Sequence, residues 1–323
     1  MSQFVEFLQK FNIQTGNSSS ASVEAASENI ERDAEFQHIL LPQGAGSPEN
    51  REKSFELPKI RVEEVRVQPA SRIVYHGDPS SPGADRFRFL RMRLRELWKA
   101  AKLRSLLVTS PLPNDGKSTI ALNLATALVE RGKYKVLLVE GDLHHSCLTP
   151  RLGLKTQAGL AECLEGALDP VSAIRRLEPL GWYLLSAGEP HRNPTELLQT
   201  EALSDVMQKL SPYFDWILID SPPVLPLTDA LLLKQQADAS LLVARAGRTP
   251  SDAVEQAIAL LGRKHVLSII LNGAERLGRL YSGYYYSPYY NRGRSTVWTE
   301  KQKESVAGQA IQAKHSATDP QGQ

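Results

Sequence analysis

Cysteine and long apolar runs are both scarce in this chain of 323 residues. Its two cysteines, Cys147 and Cys163, show neither C-x-x-C spacing nor a histidine partner at the spacing of a metal site, which indicates ordinary reduced thiols. No run approaches the about 20 apolar residues that a membrane span needs. The first eleven residues contain no long apolar segment and include Glu6, so they do not resemble a signal peptide. We therefore expect a soluble protein of the cytoplasm.

Net charge is also small, at +2, and as a total it indicates no class of partner. Its distribution along the chain is more informative. Acidic residues exceed basic ones in residues 1–70, whose apolar residues fall in isolated islands between polar stretches, so this region is expected to be largely disordered. Basic residues dominate residues 71–104. Hydrophobic residues make up 41% of the whole chain, which is enough for a buried core elsewhere.

Between residues 104 and 273, apolar runs alternate with segments of helical period. The apolar runs fall at 105–109, 135–140, 182–186, 216–220, 239–244 and 266–271. The helical segments fall at 119–131, about 195–210, 228–236 and about 251–263. Continuous apolar strands joined by helices predict an α/β fold with a mostly parallel sheet and helices on both faces. In such a fold, ligands bind at the carboxyl ends of the strands.

One stretch of this region carries a phosphate-binding pattern. A predicted strand is followed by a turn-rich loop, by Gly116, Lys117, Ser118 and Thr119, and then by a helix. Backbone N–H groups at the helix start and the Lys117 ammonium can bind phosphates, and the Ser118 hydroxyl can ligate Mg²⁺. The pattern G-x-x-x-x-G-K-[ST] would put its first glycine at position 111, where this chain has Pro111. The sequence therefore predicts a P-loop NTPase fold with a deviant Walker A loop.

Carboxylates end two of the predicted strands. Glu140 and Asp142 follow one apolar run, and Asp220 ends another. Since the carboxyl ends of parallel strands meet at one edge of a sheet, these acids are expected beside the phosphate loop. Mg²⁺ prefers oxygen ligands from one or two carboxylates, phosphates and water. The predicted catalytic residues are Lys117, Glu140, Asp142 and Asp220, with Glu140 or Asp142 as proton acceptor, and the predicted metal ligands are Ser118, Asp142 and Asp220.

An arginine-rich helix is predicted at residues 85–102. Its apolar residues recur at spacings of three and four, at Phe87, Leu90, Leu94, Leu97 and Trp98, and five arginines lie on the other faces. A charged run is commonly a solvated face, whereas this density of arginine also fits an interaction helix. The partner could be another subunit, nucleic acid or an anionic membrane surface.

Periodicity ends beyond residue 273. Six of the ten tyrosines lie between Tyr281 and Tyr290, where Gly283 and Pro288 interrupt any helix or strand, so these rings have no core to fill. The predicted organisation is a largely disordered region, a linker with the arginine-rich helix, a P-loop nucleotide-binding domain and a tyrosine-rich flexible tail, at residues 1–70, 71–103, 104–275 and 276–323.

The order of these motifs resembles the bacterial tyrosine kinases of capsular and exopolysaccharide systems, in the cytoplasmic form without membrane segments of its own. Residues 115–119 are similar to that family's Walker A motif, 136–142 to its second Walker segment, and 217–223 (ILIDSPP) to its Walker B motif. Residues 85–91 are similar to its oligomerisation helix E-x-(F/Y)-R-x-L-R, with aspartate in place of the glutamate. The resemblance covers about residues 85–290.

This resemblance implies an ATP-dependent protein-tyrosine autokinase that uses ATP and Mg²⁺. The implied nucleotide-binding residues are Asp115, Gly116, Lys117, Ser118, Thr119 and Asn272, the last of which would read adenine. The implied phosphate acceptors are Tyr281, Tyr284, Tyr285, Tyr286, Tyr289 and Tyr290. Arg88 and Arg91 would lie at the interface between subunits.

The resemblance also implies partners and a location. We expect a ring-like homo-oligomer, a membrane-embedded polysaccharide co-polymerase or activator as partner, and no nucleic acid. The protein would be cytoplasmic and recruited to the inner face of the plasma membrane. Phosphorylation between subunits would regulate the synthesis and export of a polysaccharide.

Two departures from the family pattern bear on activity. Its second Walker segment reads D-x-D-x-R, whereas this chain has Glu140, Asp142 and His144. The extra methylene of Glu140 displaces its carboxylate by about 1 Å or more, which leaves open a reduced activity or a larger share of the work for Asp142. His144 holds no fixed positive charge at neutral pH.

Two other functions remain open. A ParA/MinD-like ATPase shares the expected fold, but its signature lysine would stand five residues before Lys117, where this chain has Leu112. A non-catalytic adaptor that binds ATP and a membrane partner is the second, and Glu140 is the residue that keeps it open. The fold alone does not separate these functions from a kinase, because function depends on the site.

Overall fold

The computed structural model describes residues 57–101 and 103–274, and one eight-stranded sheet organises them. The strands are β1 (Arg61–Glu64), β2 (Ser105–Thr109), β3 (Val136–Glu140), β4 (Arg175–Glu178), β5 (Trp182–Leu185), β6 (Trp216–Asp220), β7 (Ala239–Arg245) and β8 (Val266–Asn272). They lie in the order β1-β4-β5-β3-β6-β2-β7-β8. Every neighbouring pair is parallel except β4 with β5. The prediction of a mostly parallel sheet is confirmed.

Ten α-helices connect or flank these strands within the described residues. They are α1 (Val74–Gly77), α2 (Pro82–Ala101), α3 (Lys117–Leu128), α4 (Leu148–Arg151), α5 (Leu160–Leu164), α6 (Pro170–Ala173), α7 (Pro194–Leu198), α8 (Ala202–Leu210), α9 (Asp229–Lys234) and α10 (Ser251–Leu261). Short 3₁₀ turns lie at Pro69–Ser71, Ser211–Tyr213 and Arg263–His265. None of the described helices combines the length and the apolar character needed to cross a lipid bilayer.

Helices cover both faces of the sheet, as the apolar strands predict. Successive strand residues point to opposite faces, so Leu106 and Leu107 of β2 enter different cores. One core packs the sheet against α5 to α10. The other packs it against α2, α3 and α4. Strands β3 and β6 are buried along their whole length because helices shield them on both sides.

The sequence does not predict two of the strands, because little in their composition is apolar. Strand β1 is exposed along most of its length and pairs in parallel with β4 at the edge of the sheet. An ion pair of 2.9 Å between Glu63 and the buried Arg175 joins the two strands. The expectation of disorder for residues 1–70 is therefore wrong for residues 57–70. The earlier part of that segment lies outside the described residues.

Two predicted helices differ at their ends for local reasons. The segment predicted at 195–210 is two helices, α7 and α8, separated by a turn. Helix α3 begins at Lys117, because Gly116 before it has φ of 102° and ends the loop there. It ends by Leu128, shortly before Glu130 and Arg131, both of which have positive φ.

The arginine-rich helix α2 forms as predicted, but several of its arginines are engaged within the chain. Arg88 pairs with Asp85 and also donates to the carbonyl of Pro79. Arg91 donates to the Ala127 carbonyl of α3 at 3.2 Å, and Arg95 pairs with Glu130 at 2.9 Å. The same helix leaves two large apolar side chains exposed, Phe89 (60%) and Met92 (49%).

Candidate nucleotide-binding site

The loop between β2 and α3 leaves backbone donors free at the start of a helix. The first helical hydrogen bond of α3 runs from Ile120 N–H to the Gly116 carbonyl. The N–H groups of Lys117, Ser118 and Thr119 therefore have no acceptor within the helix. Free N–H groups and the positive end of the helix dipole favour an anion at this point. The arrangement suits the phosphates of a nucleotide.

Gly116 is required here for two reasons. Its φ of 102° is a conformation that favours glycine, and a Cβ at this position would fall 2.0 Å from the side-chain nitrogen of Asn272. Asn272 is the last residue of β8 and donates to the Asp115 carbonyl at 2.9 Å. The structure thus brings the residue expected to read adenine directly against the phosphate loop.

Asp115 shapes the loop from inside. Its side chain is buried, and one carboxylate oxygen accepts from the Leu112 N–H at 3.1 Å. The other oxygen accepts from the Thr249 hydroxyl at 2.7 Å. Thr249 itself accepts from the Arg245 N–H at 2.7 Å. The carboxylate of Asp115 is therefore used within the chain, and only its backbone remains a candidate for nucleotide contact.

Lys117 faces the acids at the strand ends. Its ammonium lies 3.3 Å from an oxygen of Asp142, which follows β3. Burial would lower the pKa of Lys117, but the carboxylates of Asp220 and Asp142 outweigh it, and the pKa stands above its ordinary value. The lysine therefore stays charged. It is placed between the phosphate loop and the carboxylates, as predicted for a residue that binds phosphate.

Asp220 is fully buried, and the donors near its carboxylate within the described residues are few. Neither carboxylate oxygen accepts a bond from the part of the chain that the structure describes. Burial raises its pKa to about 7 against the opposing effects of the Lys117 ammonium and the nearby Ser118 hydroxyl. A buried carboxylate with few donors is costly, so it points to a ligand that supplies positive charge.

Glu140 does not take the place that the sequence suggested. One oxygen accepts from the Leu148 N–H at 2.6 Å, and the other accepts from the Thr149 hydroxyl at 2.8 Å and the Ala187 N–H at 3.3 Å. The residue is fully buried. Its carboxylate is committed to bonds within the chain, because the longer side chain reaches past the strand end to α4. This geometry is at odds with a role as proton acceptor and leaves that role to Asp142.

The residues present fit a magnesium ion. Ser118, Asp142 and Asp220 are buried oxygen-bearing residues at the same end of the sheet, and the oxygens of Asp220 lack partners among the described residues. No three histidine, cysteine, aspartate or glutamate side chains within residues 57–101 and 103–274 form a complete metal cage. Mg²⁺ suits such an open set, since it commonly keeps waters and binds substrate phosphates.

His144 turns away from the phosphate loop. Its Nε2 lies 3.0 Å from an oxygen of the buried Asp229 at the start of α9. The other oxygen of Asp229 accepts from the Thr195 hydroxyl at 2.8 Å. This histidine therefore ties three segments of the chain together, and it supplies no fixed charge to the phosphates.

Three contacts to the loop are not evident from the sequence. Cys147 donates to the Ser118 hydroxyl at 3.2 Å, and Arg151 donates to the Thr119 hydroxyl at 3.0 Å. The third is the bond of 2.7 Å from the Thr249 hydroxyl to Asp115. No motif marks the first two, because they depend on the path of the chain after β3. The sequence offers one signal for them. A short helix follows the strand-end acids, and it has a polar residue at each end.

Known proteins with similar sequences are kinases. The tyrosine-protein kinase CpsD of Streptococcus pneumoniae serotype 4 is 33% identical over 174 residues, which cover 53% of this chain and 76% of CpsD. The tyrosine-protein kinase ptk of Acinetobacter johnsonii is 32% identical over 204 residues, 62% of this chain. The chain spans only 28% of the length of ptk. No protein-family profile matches the chain.

Solved structures give the same result. The tyrosine kinase domain of BceF superimposes with a TM-score of 0.57 at 28% identity, over 71% of this chain and 98% of that domain. The chimerical protein CapA2B2 superimposes with a TM-score of 0.58 at 27% identity, over 67% of this chain and 93% of the chimera. With the phosphate loop, the two strand-end acids and a relative of which three quarters is matched, the chain belongs to the family of bacterial tyrosine-protein kinases.

Proposed function

We propose that this protein is an ATP-dependent protein-tyrosine kinase that phosphorylates its own C-terminal tyrosines. The observation that carries the proposal is the group at the start of α3. There Lys117 lies 3.3 Å from Asp142, and the buried Asp220 has no hydrogen-bond donor among the described residues. This group supplies what phosphoryl transfer needs, namely phosphate binding, ligands for a metal ion and a carboxylate near the reacting phosphate.

The chain's own residues divide the work of phosphate binding. The free N–H groups of Lys117, Ser118 and Thr119 hold phosphate oxygens, and the Lys117 ammonium neutralises charge on the β- and γ-phosphates. Ser118, Asp142 and Asp220 would hold Mg²⁺. The ion, when bound, neutralises the charge that develops on the transferred phosphoryl group. We propose that Asn272 contacts the base, and its bond to the Asp115 carbonyl, which holds the end of β8 beside the phosphate loop, supports this.

Asp142 is the proposed proton acceptor. A tyrosine oxygen attacks the γ-phosphorus, its proton passes to the Asp142 carboxylate, and the bond to the β-phosphate oxygen breaks to release ADP. One Asp142 oxygen accepts from the His145 N–H at 3.0 Å, which orients the group. The other faces Lys117. Glu140 is left out of this step, because its oxygens accept from Leu148, Thr149 and Ala187, whereas Asp142 faces the ammonium of the phosphate-loop lysine.

The proposed acceptors are the six tyrosines between Tyr281 and Tyr290, which lie outside the described residues. They begin nine residues after Asn272, and β8 ends against the phosphate loop. We propose that the acceptor tyrosine comes from a neighbouring subunit. Each phosphate adds about −1.5 to −2 charges, so several within ten residues would repel and favour disassembly.

We propose that α2 is the surface for self-association, as the resemblance implies for Arg88 and Arg91. The exposed Phe89 and Met92 lie on the same helix, which supports an apolar contact there. Arg91 also binds α3 of its own chain, so its replacement would disturb the subunit itself. The double change Phe89→Ser and Met92→Ser therefore tests the surface more cleanly, and it should shift sedimentation to the monomer. An unchanged oligomer would reject α2 as the contact.

The cellular role follows from the family and is a proposal for this chain. The kinase would act in the cytoplasm at the inner face of the plasma membrane, together with a membrane-embedded polysaccharide co-polymerase or activator. Cycles of phosphorylation would regulate the synthesis and export of a capsule or exopolysaccharide. A pull-down of membrane proteins from cells that express wild type and the α2 variant would test the partner.

Purified protein with ATP and Mg²⁺, analysed for phosphotyrosine by mass spectrometry, tests the activity. Lys117→Met removes the charge on the β- and γ-phosphates and should lower the rate at least about 100-fold. A Lys117→Met variant as active as wild type would show that the site is misplaced. A wild-type protein that binds ATP but forms no phosphotyrosine, even with membrane fragments added, would favour the adaptor.

A mixture of two variants tests transfer between subunits. One chain carries Lys117→Met and an intact tail, and the other is active but has phenylalanine at its six tail tyrosines. Phosphate on the inactive chain's tail supports transfer between subunits. No phosphate there, with ATP bound to the active chain, would contradict it.

A further inference from the structure

Two polar contacts join α4 to the phosphate loop, and neither belongs to the Walker motifs. Cys147, the residue before α4, donates its thiol hydrogen to the Ser118 hydroxyl at 3.2 Å. Arg151, the last residue of α4, donates to Thr119 Oγ1 at 3.0 Å. Residues four apart lie on one side of a helical turn. Helix α4 therefore sets a thiol and a guanidinium against the two successive hydroxyls at the start of α3.

The guanidinium of Arg151 lies in an unfavourable electrostatic position. Thr119 is in the first turn of α3, where the helix dipole is positive and where Lys117 already carries a charge. A cation at this end of a helix is destabilising. The ion pairs of the described residues do not include Arg151. The carboxylates of Asp142 and Asp220 balance the charge of Lys117. The charge of Arg151 has no such balance among these ion pairs, so an anion bound at the start of α3 would supply it.

We propose that Arg151 is a nucleotide-binding residue that donates to the phosphates of the ATP held by the loop. The inference rests on the proposed function, because it assigns a further contact to the same nucleotide. A guanidinium has five N–H donors, so it can keep its bond to Thr119 and still reach phosphate oxygens. It also stays charged at every physiological pH. His144, by contrast, is turned toward Asp229.

Glu140 is the positioning residue for Arg151. Its carboxylate accepts from the Leu148 N–H and the Thr149 hydroxyl, the first two residues of α4. Because these bonds hold the start of a four-residue helix, they also determine where Arg151 at its end lies. An aspartate would be about 1.5 Å too short to make them from the same backbone position. The glutamate of this chain thus acts on the nucleotide through α4.

Nucleotide affinity measured by titration calorimetry with Mg²⁺ and ATP or ADP tests the assignment on the full chain. Arg151→Ala should weaken binding about tenfold or more. Arg151→Lys should weaken it less, since an ammonium keeps the charge but cannot donate the two parallel N–H bonds of a guanidinium. Arg176→Ala is the control. Arg176 is an exposed arginine of β4 paired with Glu178 at 2.9 Å, so its removal should leave the affinity unchanged.

Thermal unfolding separates this role from a merely structural one. If the bond from Arg151 to Thr119 served only to support the fold, Arg151→Ala would lower the melting temperature of the nucleotide-free protein. The proposal expects the opposite: the nucleotide-free variant melts at the same temperature as wild type or higher, and it gains less from added ATP. A lower melting temperature with an unchanged gain from ATP would overturn the assignment.

Lys117→Met distinguishes failure of this inference from failure of the proposed function. If Lys117→Met abolishes nucleotide binding and Arg151→Ala binds as wild type does, Arg151 is not a ligand but the site stands. If neither change alters binding, the site is elsewhere and both proposals fail.

A double-mutant comparison tests the positioning role of Glu140. Glu140→Asp should weaken ATP binding about as much as Arg151→Ala, and the combination should add less than about twofold. Thr149→Val, which removes one bond to Glu140, takes its place if Glu140→Asp is unstable, and it should weaken binding in the same direction. Effects that multiply in the double variant would show that the two residues act independently.

Discussion

Strands β3 and β6 are neighbours in register, and they end in carboxylates that the chain treats in opposite ways. Glu140 pairs with Asp220 across the two strands, and both side chains are fully buried. Both oxygens of Glu140 accept hydrogen bonds, whereas neither oxygen of Asp220 does within the described residues. A buried charge is stable only with partners. The first acid therefore has all its hydrogen-bond partners in the fold, whereas the second has only the nearby charge of Lys117 and the Ser118 hydroxyl and remains open to a ligand.

Of the changes that test this contrast, an isosteric change at Glu140 should have the largest effect on stability. Glu140→Gln replaces an acceptor oxygen with an amide that must face the N–H of Leu148 or of Ala187, and each buried donor left unpaired costs about 1–3 kcal/mol. We expect the free energy of unfolding to fall by roughly 3–5 kcal/mol. Urea denaturation followed by circular dichroism measures it. A decrease below about 1 kcal/mol would mean that these hydrogen bonds contribute little.

The matching change at Asp220 should stabilise the nucleotide-free protein, whereas the change at Glu140 destabilises it. Asp220→Asn keeps the shape and removes a buried charge that has no donor, so the nucleotide-free protein should gain roughly 2–4 kcal/mol of stability at pH 8. The same variant should lose the dependence of ATP binding on Mg²⁺. Titration calorimetry with and without EDTA checks the second effect. A variant that is destabilised to the same extent as Glu140→Gln would contradict the contrast between the two strand ends.

The pH dependence of stability sharpens the contrast further. Burial raises the pKa of Asp220 to about 7 in the folded protein, so the folded state holds this proton more tightly than the unfolded state does. The resulting stabilisation is complete below the unfolded pKa and is lost as the pH rises through about 7. Nucleotide-free wild type should therefore become less stable than Asp220→Asn between pH 5 and pH 8, by roughly 2–3 kcal/mol relative to their difference at pH 5. A difference in stability between the two proteins that stays constant from pH 5 to pH 8 would refute the raised pKa of Asp220.

The smallest expected effect lies outside the two strands, at Thr249. Thr249→Val keeps the size of the side chain and removes the bond of 2.7 Å to Asp115. Stability should fall by about 1–2 kcal/mol, and ATP should bind several-fold more weakly because the phosphate loop is less well held. Thr126→Val is the control. It removes a hydroxyl that donates to the Leu122 carbonyl within α3 and accepts from the Trp182 indole at 3.1 Å, away from the loop, so it can lower stability but should leave ATP affinity unchanged. Equally weakened affinity in both variants would show that the effect is not specific to the loop.

The sequence predicts the central sheet well because its strands are apolar along their whole length. The bounds of β2 and β6 agree with prediction to the residue. It fails for β1 and β4, because these strands depend on pairing with neighbouring strands and on one ion pair rather than on their own composition. The helix predicted at 195–210 fails as a single element, because the period of its apolar residues continues across a turn.

The site divides in the same way. The residues that touch phosphate in the proposed function follow one another in a short motif, so they could be predicted. The role of Glu140 could not, because its donors Leu148, Thr149 and Ala187 lie 8, 9 and 47 residues away, in segments without a regular pattern. The family pattern, which has aspartate at that position, gives no sign that the glutamate of this chain accepts hydrogen bonds from α4 with both oxygens engaged.

The edge strand β1 limits how far the chain can be truncated from its N-terminal side. A chain shortened to begin at residue 71, where the arginine-rich linker is predicted to start, would lose the strand that covers β4. Arg175 would keep its buried place without Glu63, and the open backbone edge of β4 would be free to pair with strands of other molecules. Such a shortened protein should aggregate on purification, whereas one that begins at residue 57 should stay dispersed.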